Sequence, residues 1–260
     1  MGKVFLVGAG PGDPELLTVR ALRLLQKADF VLHDALVSAE ILELVSRRAR
    51  VIDIGKRSGT KLLTQGEINS LLIRYAAEAE TVVRLKGGDP SIFGRAGEEI
   101  EALAEAGIPF EIVPGITSAL ASAAAAGISL TDRRFASSAV FTTAHRHSEA
   151  GAVAWKQLVA SGATLAIYMP ASDPGELCAS LYEAGLQPGT PCTVVSRAGR
   201  VDQRVLSTEL SRLERNCNLP APALLIVGEC ARPLHSFAHV DVEEVIAIEK
   251  NRTEHVKQAN

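Results

Sequence analysis

Short β-branched runs alternate with stretches of helical apolar spacing through the first half of the chain, a pattern that predicts a parallel α/β sheet. Residues 3–8 (KVFLVG) read as a strand buried on both faces. The loop AGPGD follows. Asp13 and Pro14 then stand as N-cap and first residue of a helix running through Leu16, Leu17, Leu24 and Leu25. Further strands are predicted at 29–33, 50–54 and 81–86 and over FEIVPG, with helices near 38–47, 65–79, 95–106 and 116–126. The helix at 65–79 opens on Thr64 with Glu67 three residues on, the spacing of a capping box.

The polar, irregular stretch SLTDRRFASS (129–138) predicts a boundary, dividing the chain into an N-terminal α/β lobe (1–130) and a C-terminal α/β lobe (131–245). The second lobe opens on SAVFTTAH and continues with helix 153–160, strand 164–170 and helix 175–184. Three strand-like runs follow, TPCTVVSRAG, QRVLST and PALLIVG. The first two are joined by the turn-like SRAGRVDQ, so a mixed or antiparallel sheet is expected here. Residues 246–260 are polar without apolar periodicity and are expected to form a flexible tail.

Composition narrows the function classes. Lysine and arginine total 27 against 30 acidic residues, a formal charge of −3, which argues against a general nucleic-acid binder. The four cysteines, Cys178, Cys192, Cys217 and Cys230, lack metal-ligand spacing and are expected as reduced thiols. MGKVFLVGAG reads as a strand and turn, not a signal peptide, and the apolar runs are too short to cross a bilayer. A cytoplasmic protein is expected.

The first glycine-rich loop is not a dinucleotide fingerprint. Gly8 and Gly10 match two positions of that pattern, but Asp13 stands at the third. Pro11 and Pro14 remove backbone donors that a pyrophosphate would use. Asp34, at the end of the second strand, could bind a ribose, but the missing glycine weighs more. Such a loop suits a phosphate-free adenosine ligand; an ordinary tight turn would use the same residues.

Three motifs, VGAGPGDPELLT, VRLKGGDPSIFGRAGEE and VPGITSA, together resemble the class III (tetrapyrrole) methyltransferases. The similarity continues through TTAH, TLAIYMP, Gln203–Arg204 and PALLIVGE, covering roughly residues 3–235. The resemblance implies a two-lobed tetrapyrrole methylase fold, a homodimer, and S-adenosylmethionine as methyl donor, with S-adenosylhomocysteine as product. It implies methylation of uroporphyrinogen III at two ring carbons to give precorrin-2, from which siroheme and cobalamin both derive. Cofactor contacts are implied for Pro11, Gly87, Gly88, Asp89, Ile92, Thr117, Ser118, Met169 and Ala198. Asp34 is implied as proton acceptor and Lys56 as proton donor.

The eight carboxylates of such a substrate call for cations. Arg57, Arg133, Arg134 and Arg146 lie in predicted loops, with Lys61 beside them, although a solvated surface uses the same residues. His145 and His147 lack companion ligands, so no metal is expected. The chain departs from the family pattern at His33, Ser91, Ala144 and Pro170. Some relatives carry a fused dehydrogenase–chelatase domain; with the first strand at residue 3, none is expected here. Other readings are a later-acting precorrin methyltransferase, an rRNA methyltransferase of the same fold, and a non-catalytic sensor of adenosine ligands.

Overall fold

A computed structural model describes residues 2–55, 63–144, 153–170, 174–216 and 220–233. Two five-stranded sheets form the frame. The first is wholly parallel, in the order β3-β2-β4-β1-β5, from β1 (Lys3–Gly8), β2 (Phe30–His33), β3 (Arg50–Asp53), β4 (Thr81–Lys86) and β5 (Phe110–Val113). Its central strands carry apolar side chains on both faces: Val4, Leu6, Val7, Val82, Val83 and Leu85 are all fully buried. Helices cover both sides, as parallel sheets require. On one face, α3 (Gln65–Glu78) and α4 (Ala96–Glu105) contribute Ile68, Leu72, Tyr75, Ala96 and Leu103. On the other, α1 (Val19–Leu25) and α2 (Ala39–Leu42) contribute Ala21, Leu25 and Ile41.

The second sheet is mixed, in the order β6-β7-β10-β8-β9. It comprises β6 (Ala139–Thr143), β7 (Thr164–Tyr168), β8 (Pro191–Ser196), β9 (Arg204–Glu209) and β10 (Ala223–Val227). Only β6 and β7 run parallel; the remaining neighbours are antiparallel. The helices α6 (Trp155–Ala160), α7 (Pro174–Glu183) and α8 (Leu210–Asn216) pack on one face. The alanine-rich α5 (Ser118–Ala125) packs on the other, against Ala166, Leu224 and Ile226. The boundary expected near 130 thus falls after a helix that already packs on the second sheet.

Several elements differ from the sequence expectation for local reasons. The helix expected from Asp13 onward is two elements. Pro14–Leu16 forms a 3₁₀ turn capped by Asp13, and the chain is extended at Leu17 and Thr18. Thr18 then caps α1, its hydroxyl accepting from Ala21 N. α2 ends at Leu42, because Leu44 N and Val45 N donate to carbonyls three residues back and tighten the turn. β7 stops at Tyr168, where Met169 takes a left-handed φ of 48°. The expected capping box is present at Thr64 and Glu67. Cys178, Cys192 and Cys230 are buried. No helix among the described residues is long and apolar enough to cross a membrane.

Candidate functional site

In a parallel sheet every strand delivers its carboxyl end to the same edge, and ligands collect there. Here β1 ends at Gly8 and leads into Ala9 and Gly10, and β4 ends at Lys86 and leads into Gly87 and Gly88. These turns are sewn together, Gly10 N donating to Gly88 O at 3.1 Å and Gly88 N to Gly10 O at 2.8 Å. The packing leaves no room for side chains. A Cβ on Gly8 would lie 2.6 Å from Gly88 O, and one on Gly115 would lie 2.3 Å from the same oxygen. Asp89 locks the loop from within: its Oδ2 accepts from Gly115 N at 2.9 Å and its Oδ1 from Ser91 N at 2.8 Å. Each oxygen keeps a lone pair for a further donor.

The second sheet closes the cavity from the opposite side. Tyr168, at the end of β7, meets the start of α5, its hydroxyl 2.6 Å from Thr117 Oγ1 and accepting from Ala119 N at 3.2 Å. Burial pushes the Tyr168 phenol above its usual range, so it remains a neutral hydroxyl at ordinary pH. Phe93 packs on its ring at 4.8 Å between centroids. The two sides interlock at the rim. Arg200, in the β8–β9 turn, donates to Leu36 O at 2.6 Å, and a Cβ on Gly199 would strike the Pro11 ring at 2.7 Å. Phe93 and Met169 border the cavity in left-handed conformations, with Arg197 next to Ala198 in the same state. Such strain concentrates where a site dictates the backbone.

All nine residues expected to hold the cofactor, Pro11, Gly87, Gly88, Asp89, Ile92, Thr117, Ser118, Met169 and Ala198, line this one cavity, and so does Asp34. Asp34 follows β2 and receives Arg84 Nη2 on Oδ1 at 2.5 Å. Lys86 also lines the cavity. Burial, then the neighbouring Arg84, lowers its ammonium pKa below the usual lysine value, with Glu99 opposing. Two polar groups on the lining find no hydrogen-bond partner among the described residues: the fully buried Ser122 hydroxyl and Arg200 Nε. Orphaned groups of this kind suit a polar ligand.

The substrate cations are not gathered in the same way. Arg133 and Arg134 are exposed and do not line the cavity. Arg134 grips Asp132 with Nε at 3.0 Å and Nη2 at 2.7 Å, which lowers the Asp132 carboxyl to about 2. Lys56, Arg57, Lys61, Arg146, His145 and His147 lie outside the described residues. Among the described residues, no group of three or more His, Cys, Asp or Glu could hold a metal. At the departures from the family pattern, His33 Nδ1 lies 3.1 Å from Asp34 O, Ser91 is exposed, and Ala144 N donates to Tyr168 O at 3.1 Å.

Sequence reasoning missed Arg84, Lys86, Glu99, Tyr168 and Arg200. A signal existed for two of them: cations at alternate positions of an otherwise apolar strand, Arg84 and Lys86, share a face that something must neutralise. Nothing in the sequence marked Arg200, whose role depends on two loops 164 residues apart.

A parallel α/β sheet with glycine turns and a carboxylate at its carboxyl edge, roofed by a second sheet, defines an enzyme-like small-molecule site. The chain belongs to the tetrapyrrole (corrin/porphyrin) methylases, whose family model matches residues 3–214. It is 50% identical over 248 residues to siroheme synthase 1 of Klebsiella pneumoniae, a match covering 94% of this chain and 52% of that protein. The chain therefore spans about half the length of the curated relatives it matches. Among solved structures it resembles a uroporphyrin III C-methyl transferase from Thermus thermophilus, with a TM-score of 0.77 and 38% identity over 89% of this chain and 99% of that one. The same enzyme is known in complex with S-adenosyl homocysteine. A cobalt precorrin-4 methyltransferase superposes with a TM-score of 0.78 at 30% identity, covering 89% of this chain and 96% of that one.

Proposed function

We propose that the chain transfers methyl groups from S-adenosylmethionine to two ring carbons of uroporphyrinogen III, giving precorrin-2 for siroheme or cobalamin synthesis. One observation carries the reading: nine motif residues from both halves of the chain line a single cavity together with Asp34. The similarity to a siroheme synthase and to a uroporphyrin III C-methyl transferase supports the acceptor.

The lining fits an adenosine ligand. Gly87 and Gly88 bring main-chain groups close to whatever binds, and Ile92, Met169 and Ala198 offer apolar surface to a flat ring. Thr117, Ser118, Asp89 and the orphaned Ser122 hydroxyl supply polar contacts for ribose and amino-acid groups. When bound, the donor supplies a sulfonium methyl open to in-line displacement by an electron-rich pyrrole carbon. Alignment of the two partners by the cavity walls then provides much of the rate. To Asp34, on the cavity wall, we assign the stabilising of the alkylated, cationic ring or the taking of its proton. Lys56 returns a proton or pairs with a substrate carboxylate, and Arg57, Arg133, Arg134 and Arg146 receive the others. Of these, Arg134 must share its guanidinium with Asp132. We assign the enzyme to the cytoplasm as a homodimer of two-lobed subunits divided near residue 130.

The test is anaerobic incubation with uroporphyrinogen III and S-adenosylmethionine, followed by mass analysis. A product heavier by two methyl groups is expected. Absence of methylation by a protein that binds S-adenosylhomocysteine refutes the acceptor and turns attention to later precorrins.

A further inference from the structure

Four charged side chains form a continuous run of contacts from beneath α4 to the cavity. Glu99 is fully buried on α4 and faces Arg84 and Lys86, which strand alternation places on one side of β4. Its Oε1 accepts from Arg84 Nε and Lys86 Nζ, each at 2.9 Å, and its Oε2 accepts from Lys86 Nζ at 2.9 Å. Gln65 Nε2 adds a bond to Oε1 at 3.3 Å. Arg84, itself 3% exposed, extends its other arm to Asp34 Oδ1 at 2.5 Å and gives Nη1 to Leu85 O at 3.2 Å. Asp34 is a third exposed and is where this run meets the cavity mouth.

A guanidinium is planar and rigid, so fixing its Nε edge fixes where Nη2 points. We infer that Glu99 is a positioning residue for methyl transfer, acting through Arg84 to set the place of the Asp34 carboxylate. The inference rests on the reading of Asp34 as the group that meets the alkylated ring. Glu99 also neutralises two buried cations, a purely structural role that uses the same contacts. The two roles separate by what loss of Glu99 does once Asp34 is already disabled.

Glu99→Gln preserves volume but replaces one acceptor oxygen with an NH₂, which then faces Arg84 or Lys86 donor to donor. In either orientation Arg84 loses its bond to a charged oxygen and is held less firmly, while Asp34 remains in sequence. Glu99→Gln, Asp34→Asn and the double variant are compared for kcat with uroporphyrinogen III and for S-adenosylhomocysteine affinity by calorimetry. Glu99→Gln is expected to lower kcat about 10- to 100-fold, the cost of misplacing a reacting group by about 1 Å. Homocysteine-ligand affinity is expected to stay within about twofold, since the lost interaction serves the reacting state. The double variant is expected to be no slower than Asp34→Asn alone.

A wild-type kcat in Glu99→Gln, or a double variant slowed by the product of both single effects, overturns the inference. If Glu99→Gln does not fold, Arg84→Lys carries the same comparison, because a lysine ammonium lacks the fork that spans both carboxylates. Normal turnover in Asp34→Asn overturns the underlying reading and the inference with it, an outcome recognised without any Glu99 variant.

Discussion

Gly115→Ala probes the packing that shapes the cavity without replacing an ionisable side chain. The new Cβ would lie 2.3 Å from Gly88 O and 2.8 Å from Gly8 Cα. Carbon–oxygen contacts settle near 3.3 Å, so the Gly88 carbonyl must retreat by about 1 Å. That carbonyl accepts Gly10 N, and Gly88 N returns a bond to Gly10 O, so the retreat strains both. Overpacking costs about 1–3 kcal/mol and weakened backbone bonds add about 1, giving a loss of about 2–4 kcal/mol. The same displacement carries Gly87, Gly88 and Asp89 out of place in the cavity wall. Binding of S-adenosylhomocysteine should therefore weaken by roughly ten- to a hundredfold. Gly97→Ala is the matched control: it lies in α4 with nothing within 4 Å of the added carbon. That change should leave binding intact and stabilise by up to about 1 kcal/mol. Urea denaturation and calorimetry measure both effects. Wild-type stability and affinity in Gly115→Ala would refute the account of the glycine stack.

Three further outcomes are expected. Asp34→Asn should leave S-adenosylhomocysteine affinity nearly unchanged and lower kcat by about 10²- to 10⁴-fold, as loss of an acid–base group does; lost binding with normal saturated turnover refutes the role. Tyr168→Phe strands Ala119 N and the Thr117 hydroxyl, costing about 1–3 kcal/mol, and an unchanged urea midpoint would count against that buried pair. Asp132 should titrate at about 2 by NMR, because Arg134 favours its charged form. A carboxylate depressed in the folded state contributes stability above its unfolded value of 3.8, lost as pH falls towards 2. Arg134 is exposed, so salt should screen the pair, and Arg134→Ala should return the midpoint towards 3.8; an unmoved midpoint excludes Arg134 as the cause.

How much of this was legible depended on whether a feature is local. The strand at 81–86 was readable because TVVRLK is mostly β-branched and apolar, and the cap at Thr64 because its partner lies three residues away. The break at Leu17 was not, because Asp13 and Thr18 are both good caps and only the fold decides that both are used. α8 escaped notice because LSRLERN packs Leu210 and Leu213 against a sheet built elsewhere. The site shows the same divide. Nine cofactor positions came from motif resemblance, and they meet in one cavity after the ends of β1, β4 and β5 in the first sheet and of β7 and β8 in the second. The charge network that ends at Asp34 was hidden for a different reason. Arg84 and Lys86 announce a shared face of β4, yet only the crossing of α4 over that face puts a carboxylate there. RAGEE offers two glutamates for it. Glu98 pairs with exposed Arg95, while Glu99 turns inward because it shares the buried stripe of Ala96 and Leu103 at helical spacing. Helical phase therefore selects Glu99 over its neighbour, and a Glu98→Gln change should leave methyl transfer untouched where Glu99→Gln slows it.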